Sequence, residues 1–172
     1  MLIRSWLSWP DSLTERVAAH LQGPVQVRVL SERVARILPD EQQHLWMRGR
    51  IARIREVQLE VRGVPYVVAR TVFPESTAHV MNDALTRLGT RSLGSLLFGP
   101  KRAPVVMREW IALEGSSMLR RLLHAHLPAE SASLWARRAL HLLADEPLLV
   151  TEIFLPALLT MAPVAAENGS KD

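Results

Sequence analysis

From Ile51 to Val61 the apolar residues Ile51, Val57, Leu59 and Val61 hold odd positions, and Glu56, Gln58 and Glu60 hold even ones. That period of two is the signature of a strand with one buried face. In the run Tyr66 to Phe73, Tyr66, Val68, Arg70 and Val72 share a face. Arg62-Gly63 between the runs reads as a two-residue hairpin loop, so residues 45–61 and 64–73 are predicted to pair, with Pro74 ending the second strand. Upstream, Ser12-Leu13-Thr14-Glu15 has the form of a capping box, and Leu13, Val17 and Leu21 follow at helical spacing. They predict a helix from about 12 to Gly23. A half-buried strand follows from Val25 toward Ile37, and Pro39-Asp40 opens a short turn or helix. Downstream, Val80, Ala84, Leu85 and Leu88 mark an amphipathic helix closed by Gly89, with a second short helix within 93–99. A strand over 105–113, a helical excursion over 114–133, and two strands near 134–143 and 147–155 joined through Asp145-Glu146 complete the pattern. Strands joined by tight turns, with helices inserted between them, predict an antiparallel α+β domain over residues 1–157. A polar tail over 158–172 is expected to be disordered.

Arg55 falls on the apolar face of the first hairpin strand. Counting back from Arg62-Gly63 pairs Val61 with Val64 and residue 55 with residue 70. Opposed like charges destabilise a sheet, so Arg55 and Arg70 together suggest a site for a bound carboxylate or phosphate. The plainer alternative is that Glu152 or Glu109 neutralises one arginine while the other reaches for water. Glu152 shares its face with Val150 and Phe154, and a carboxylate placed there must pair, hydrogen-bond or take up a proton. It is either a structural ion-pair partner of Arg55 or Arg70, or a polar or acid/base group in an apolar pocket.

With 172 residues the chain has the length of one domain with a real core. It contains no cysteine, which excludes disulfide and thiolate chemistry. The first ten residues make too short an apolar stretch for a signal peptide, and no run of 18 apolar residues occurs. A soluble cytoplasmic protein without membrane insertion is the expectation. The net charge of +4 would suit nucleic acid, but the arginines are scattered among acidic residues and no dense basic run carries interleaved aromatics. No nucleic-acid partner is expected, and a small anionic ligand is favoured. His124 and His126 lack neighbouring ligand-type residues, so no metal site is expected. Phosphate-loop and G-x-S-x-G patterns are absent.

Six segments, in order, resemble the chorismate pyruvate-lyase family: Trp9 to Thr14, Arg55-Glu56, Ala69 to Pro74, Leu88-Gly89 with Ser92 to Gly94, Leu134 to Arg138, and Thr151 to Pro156. The resemblance covers about residues 5–157. It implies a monomer whose antiparallel sheet of about six strands carries a closed ligand cavity under helical flaps. The implied activity removes pyruvate from chorismate to leave 4-hydroxybenzoate, the first step of ubiquinone biosynthesis, without a cofactor. By the same resemblance Arg55 holds the ring carboxylate, Leu13 and Leu93 line the pocket through backbone groups, Glu152 meets the ring hydroxyl, and Arg70 serves the enolpyruvyl carboxylate. Arg70 and Glu152 are thus the expected catalytic pair. A closed pocket also implies product inhibition. The competing expectation is a non-catalytic sensor or carrier of 4-hydroxybenzoate or a related acid, since ligand-binding domains of some transcription regulators resemble this fold. Those domains follow a DNA-binding module, for which there is no room before residue 12.

Overall fold

The computed structural model describes residues 2–99, 102–128 and 133–160. Six strands form one fully antiparallel sheet: β1 (Gln26–Arg36), β2 (Ile51–Val61), β3 (Val64–Phe73), β4 (Val105–Glu114), β5 (Ser133–Leu143) and β6 (Glu146–Phe154). Their spatial order is β1-β2-β3-β6-β5-β4. The hairpin loops Arg62-Gly63 and Ala144-Asp145 have positive φ at both residues, from 52° to 77°, the mirror-image turn that matches strand twist.

The four central strands, β2, β3, β6 and β5, are largely buried on both faces, whereas the edge strands β1 and β4 are mostly exposed or half-buried. One face is covered by α1 (Leu2–Leu7) and α2 (Leu13–Leu21), and further along by α4 (Glu75–Val80), α5 (Asn82–Leu88) and α6 (Gly94–Leu97). Trp6, Leu13, Val17 and Leu21 pack there on Leu59, Val67 and Phe154. The second face is covered by α7 (Met118–Leu122) and the segment around α3 (Pro39–His44), with Leu38, Leu119, Leu123 and Leu127 against Val68, Ala136 and Ile153. A single 3₁₀ turn, His124–His126, follows α7, with His124 exposed and His126 half-buried.

The helix foreseen from Ser76 to Gly89 is two helices broken at Met81, whose φ of −97° and ψ of 3° leave helical geometry. The first three residues of the expected tail, 158–160, are helical rather than disordered. Pro156–Thr160 form α8, and Leu158 is wholly buried against the first face. The rest of the expected tail lies outside the described residues.

The hairpin register corrects the opposed-arginine expectation. Val61 faces Val64 and Glu60 faces Pro65, but Leu59 faces Val67, so Tyr66 is an extra residue in β3. Pro65 has no N–H to donate, which favours a bulge there, and the Tyr66 carbonyl accepts from the Leu155 N–H at 3.0 Å. Beyond the bulge Arg55 faces Thr71 and Glu56 faces Arg70. A one-residue slip moves a side chain to the other face. Arg55 and Arg70 therefore lie on opposite sides of the sheet.

On its own side Arg70 is buried and fully paired. Its Nε and Nη2 donate to Glu41 at 2.7 and 3.0 Å, and its Nη1 donates to Glu56 at 2.6 Å. Glu41 also accepts from the Leu38 N–H at 2.8 Å, and Glu56 from Arg33 at 2.8 Å. Burial alone would push the Arg70 pKa down, but the two carboxylates outweigh it and raise it above the ordinary value. The cluster pins α3 to the centre of the sheet. Arg70→Ala leaves two buried carboxylates without their cation, and we expect a loss of about 3–5 kcal/mol in urea unfolding.

Candidate active site

The cavity lies on the face opposite Arg70, between the sheet and a cover formed by the start of α2 and residues 91–98. Its floor follows from the strand register. Arg55 of β2 faces Thr71, Thr71 faces Val150, Val150 faces Ala139, and Ala139 faces Arg108 of β4. One cross-strand row thus has an arginine at each end and three small or medium side chains between. The adjacent row is Val57, Ala69, Glu152, Arg137 and Trp110. Ala69, Thr71 and Ala139 leave room that larger strand residues would fill. The cavity volume is about 50 Å³, room for several water molecules.

Arg55 is nearly buried and ties the cover down. Its Nη1 donates to Glu32 at 2.9 Å, and its Nη2 donates to the carbonyls of Gly89 at 2.6 Å and Arg91 at 3.4 Å. Glu32 also pairs with Arg53. Although its burial raises the Glu32 pKa, hydrogen bonds and charge from Arg53 and Arg55 bring it below the usual carboxylate range. Leu13, the first residue of α2, and Leu93, just before α6, both line the cavity from the cover. Ser12 caps α2 by accepting from the Glu15 N–H at 3.3 Å. Gly94 permits the close approach of the two cover segments, because a Cβ there would stand 3.1 Å from the Ser12 hydroxyl and 3.2 Å from that of Ser92.

Glu152 lines the cavity, and its partner is Arg137, directly opposite on β5, rather than Arg55 or Arg70. Arg137 also donates to the Trp9 carbonyl at 2.6 Å. Glu109, the other carboxylate considered from sequence, accepts from Arg138 at 3.2 Å. Leu13, Arg55, Leu93 and Glu152 are therefore brought together. Arg70, expected as catalytic and substrate-binding, is not, since the Tyr66 bulge turns it into the ion cluster on the far face.

Sequence reasoning gave no role to Arg108, Arg137 or His141. A usable signal was present: Arg137, Ala139 and His141 alternate along β5, with alanine where a strand ordinarily carries a bulky residue. His141 is buried, meets Phe98 edge-on at 6.0 Å, and its Nδ1 has no partner. Burial, together with the charges of Arg108 and Arg137, pushes its pKa below 6.5 despite Glu152 and a hydrogen bond with the Ala103 backbone. Among the described residues no group of three His, Cys, Asp or Glu is placed to hold a metal ion, and no helix is long and apolar enough to cross a membrane.

Residues 1–164 match the family model described as "Chorismate lyase". A relative from Dechloromonas aromatica (strain RCB), "Probable chorismate pyruvate-lyase", is 41% identical over 160 residues, covering 91% of this chain and 88% of its own. The "Chorismate pyruvate-lyase" of Erwinia tasmaniensis is 37% identical over 172 residues, covering 95% and 83%. Among solved structures, PhnF from Mycobacterium smegmatis superposes with a TM-score of 0.59 at 12% identity, over 93% of this chain and 70% of that one. The ligand-binding domain of a GntR-family regulator from Bordetella bronchiseptica gives 0.53 at 17% identity, over 78% and 84%. These two share the fold. With a match running through every strand and both cover segments, the chain belongs to the chorismate lyase family.

Proposed function

We propose that this protein is a chorismate pyruvate-lyase, releasing pyruvate from chorismate to leave 4-hydroxybenzoate. The observation that carries the reading is a small, apolar-walled cavity with Arg55 at one end of its floor and Glu152 two strands away. A para-hydroxylated ring acid has this spacing of functions, with a carboxylate at one end and a hydroxyl at the other. In the reaction the C4–H electron pair becomes a ring double bond and the C3–O ether bond breaks. Its electrons leave on the enolpyruvyl oxygen, and the resulting enolate takes up a proton at its methylene carbon to give pyruvate. Aromatisation supplies the driving force, so the chain's main task is to hold one reactive conformer.

Arg55 binds the ring carboxylate, and the backbone groups of Leu13 and Leu93 edge the ring from the cover. Glu152 orients the C4 hydroxyl or receives the C4 proton, and its ion pair with Arg137 holds it in position. Arg70 acts on the fold rather than on the ligand. The protein works as a cytoplasmic monomer at the first step of ubiquinone biosynthesis. A cavity held shut by the Arg55 contacts to Gly89 and Arg91 favours slow release of 4-hydroxybenzoate and hence product inhibition.

The direct test follows 4-hydroxybenzoate by absorbance and pyruvate by a coupled enzyme. Equal appearance of both supports the lyase, whereas tight 4-hydroxybenzoate binding without turnover supports a carrier. Arg55→Ala should weaken 4-hydroxybenzoate binding in calorimetry by about 10- to 100-fold, the worth of a hydrogen bond to a charged group. Glu152→Gln, which keeps the shape, should lower kcat by about 100-fold if the carboxylate moves the proton, and only a few-fold if it orients the hydroxyl. His141 is held neutral, so its lowered pKa gives stability that is complete above the unfolded value of about 6.5 and is lost as pH falls below it. Between pH 7 and 5 the wild type should lose more unfolding free energy than His141→Gln, measured by denaturant titration at each pH.

A further inference from the structure

The cavity carries more positive charge than a monocarboxylate can neutralise. Arg55, Arg91, Arg108 and Arg137 line it, against Glu152 alone. Glu32 meets Arg55 and Glu152 meets Arg137, but neither Arg91 nor Arg108 makes an ion pair among the described residues. Arg91 is exposed to solvent, where its field is screened. Arg108 is half-buried, and among the described residues its side chain makes one hydrogen bond, a long one from Nη2 to the Pro10 carbonyl at 3.4 Å. Its Nε is buried with no hydrogen-bond partner among the described residues. A buried guanidinium nitrogen left unpaired is costly. Burial, and next the charge of Arg137, push the Arg108 pKa down, the response of a cation short of its anion.

Position adds to charge. Arg55 and Arg108 end the same cross-strand row, with only Thr71, Val150 and Ala139 between them. The four strand spacings amount to about 19 Å between backbones, and the two long side chains close the gap from both ends. Glu152 lies midway, in the next row. A ring with its carboxylate at Arg55 and its C4 hydroxyl at Glu152 sends a C3 substituent past Glu152 toward β5 and β4. Arg137 is there, but its Nε is taken by Glu152 and its Nη1 by Trp9.

We propose that Arg108 is the second carboxylate-binding residue of this cavity, taking the side-arm carboxylate of a ring dicarboxylate whose ring carboxylate is held by Arg55. The assignment rests on the chorismate reading of the same site. It gives the second cation, which the hairpin was expected to supply through Arg70, to the opposite edge strand. It also separates substrate from product, because 4-hydroxybenzoate has nothing to offer Arg108.

Two measurements test it. In Arg108→Ala, kcat/KM for chorismate should fall by about 10- to 100-fold or more, while the Kd for 4-hydroxybenzoate stays within about threefold. Arg108→Lys should recover part of the loss, since it restores charge without the guanidinium fork. A kcat/KM within threefold of wild type, or parallel losses for substrate and product, overturns the assignment. In the wild type, which is independent of any folding defect in the variant, 3-(carboxymethoxy)-4-hydroxybenzoate should bind at least about tenfold tighter than its side-arm methyl ester. Equal affinities overturn the assignment too. Failure of wild-type protein to turn over chorismate while this dicarboxylate preference persists counts against the lyase reading and leaves the Arg108 site standing.

Discussion

A sheet covered on both faces must settle its inward charges side by side, because an ion buried on one face cannot borrow a partner from the other. Desolvation costs several kcal/mol per ion, so each face is constrained separately. On the α3 side the constraint is met: Arg70 and Arg33 are matched by Glu41 and Glu56, and Arg138 by Asp40 and Glu109. On the α2 side it is not, since the inward arginines outnumber the carboxylates. The first face is thereby matched in charge and the second carries excess positive charge, although both are built from the same six strands.

That division turns on one residue. Without the extra residue at Tyr66, Arg70 would project into the cavity and Glu56 would lose its central cation. Pro65 beside the hairpin loop was the visible trace of the bulge, since a proline inside a strand marks an edge or an irregularity. A count that ignored it placed two arginines face to face. The rest of the hairpin, including the Arg62-Gly63 turn and the inward direction of Arg55, was legible because alternation is local. So were the Ser12 cap and the Leu13, Val17 and Leu21 stripe of α2. The cavity itself was not, because it arises where β4, β5 and β6 return beside β3, and no local periodicity reports which distant strands become neighbours. Glu152 could be recognised as a carboxylate in need of a partner. That the partner is Arg137 follows only from the β5–β6 register.

The same fold occurs in the ligand-binding domain of a GntR-family regulator at 17% identity, so the architecture alone does not decide between sensing and catalysis. On that scaffold this chain places specific chemistry: alanine and threonine where the floor is low, arginines at both ends of one row, and a single acid in the next row. Each of these projects from a strand rather than a loop, which holds its direction to the pleat and leaves little freedom for mispositioning.

Arg55 reaches both the cavity and the carbonyls of Gly89 and Arg91. Its guanidinium is a shared tie: any displacement of the segment around residues 89–94 would cost the same group two acceptors. On the proposed reading, in which Arg55 binds the ring carboxylate, the tie to the cover and the ligand's anchor are one component. Entry, retention and exit of an acid are in that case not three separate adjustments available to natural selection, because a substitution that loosens the door also loosens the hold on whatever is inside.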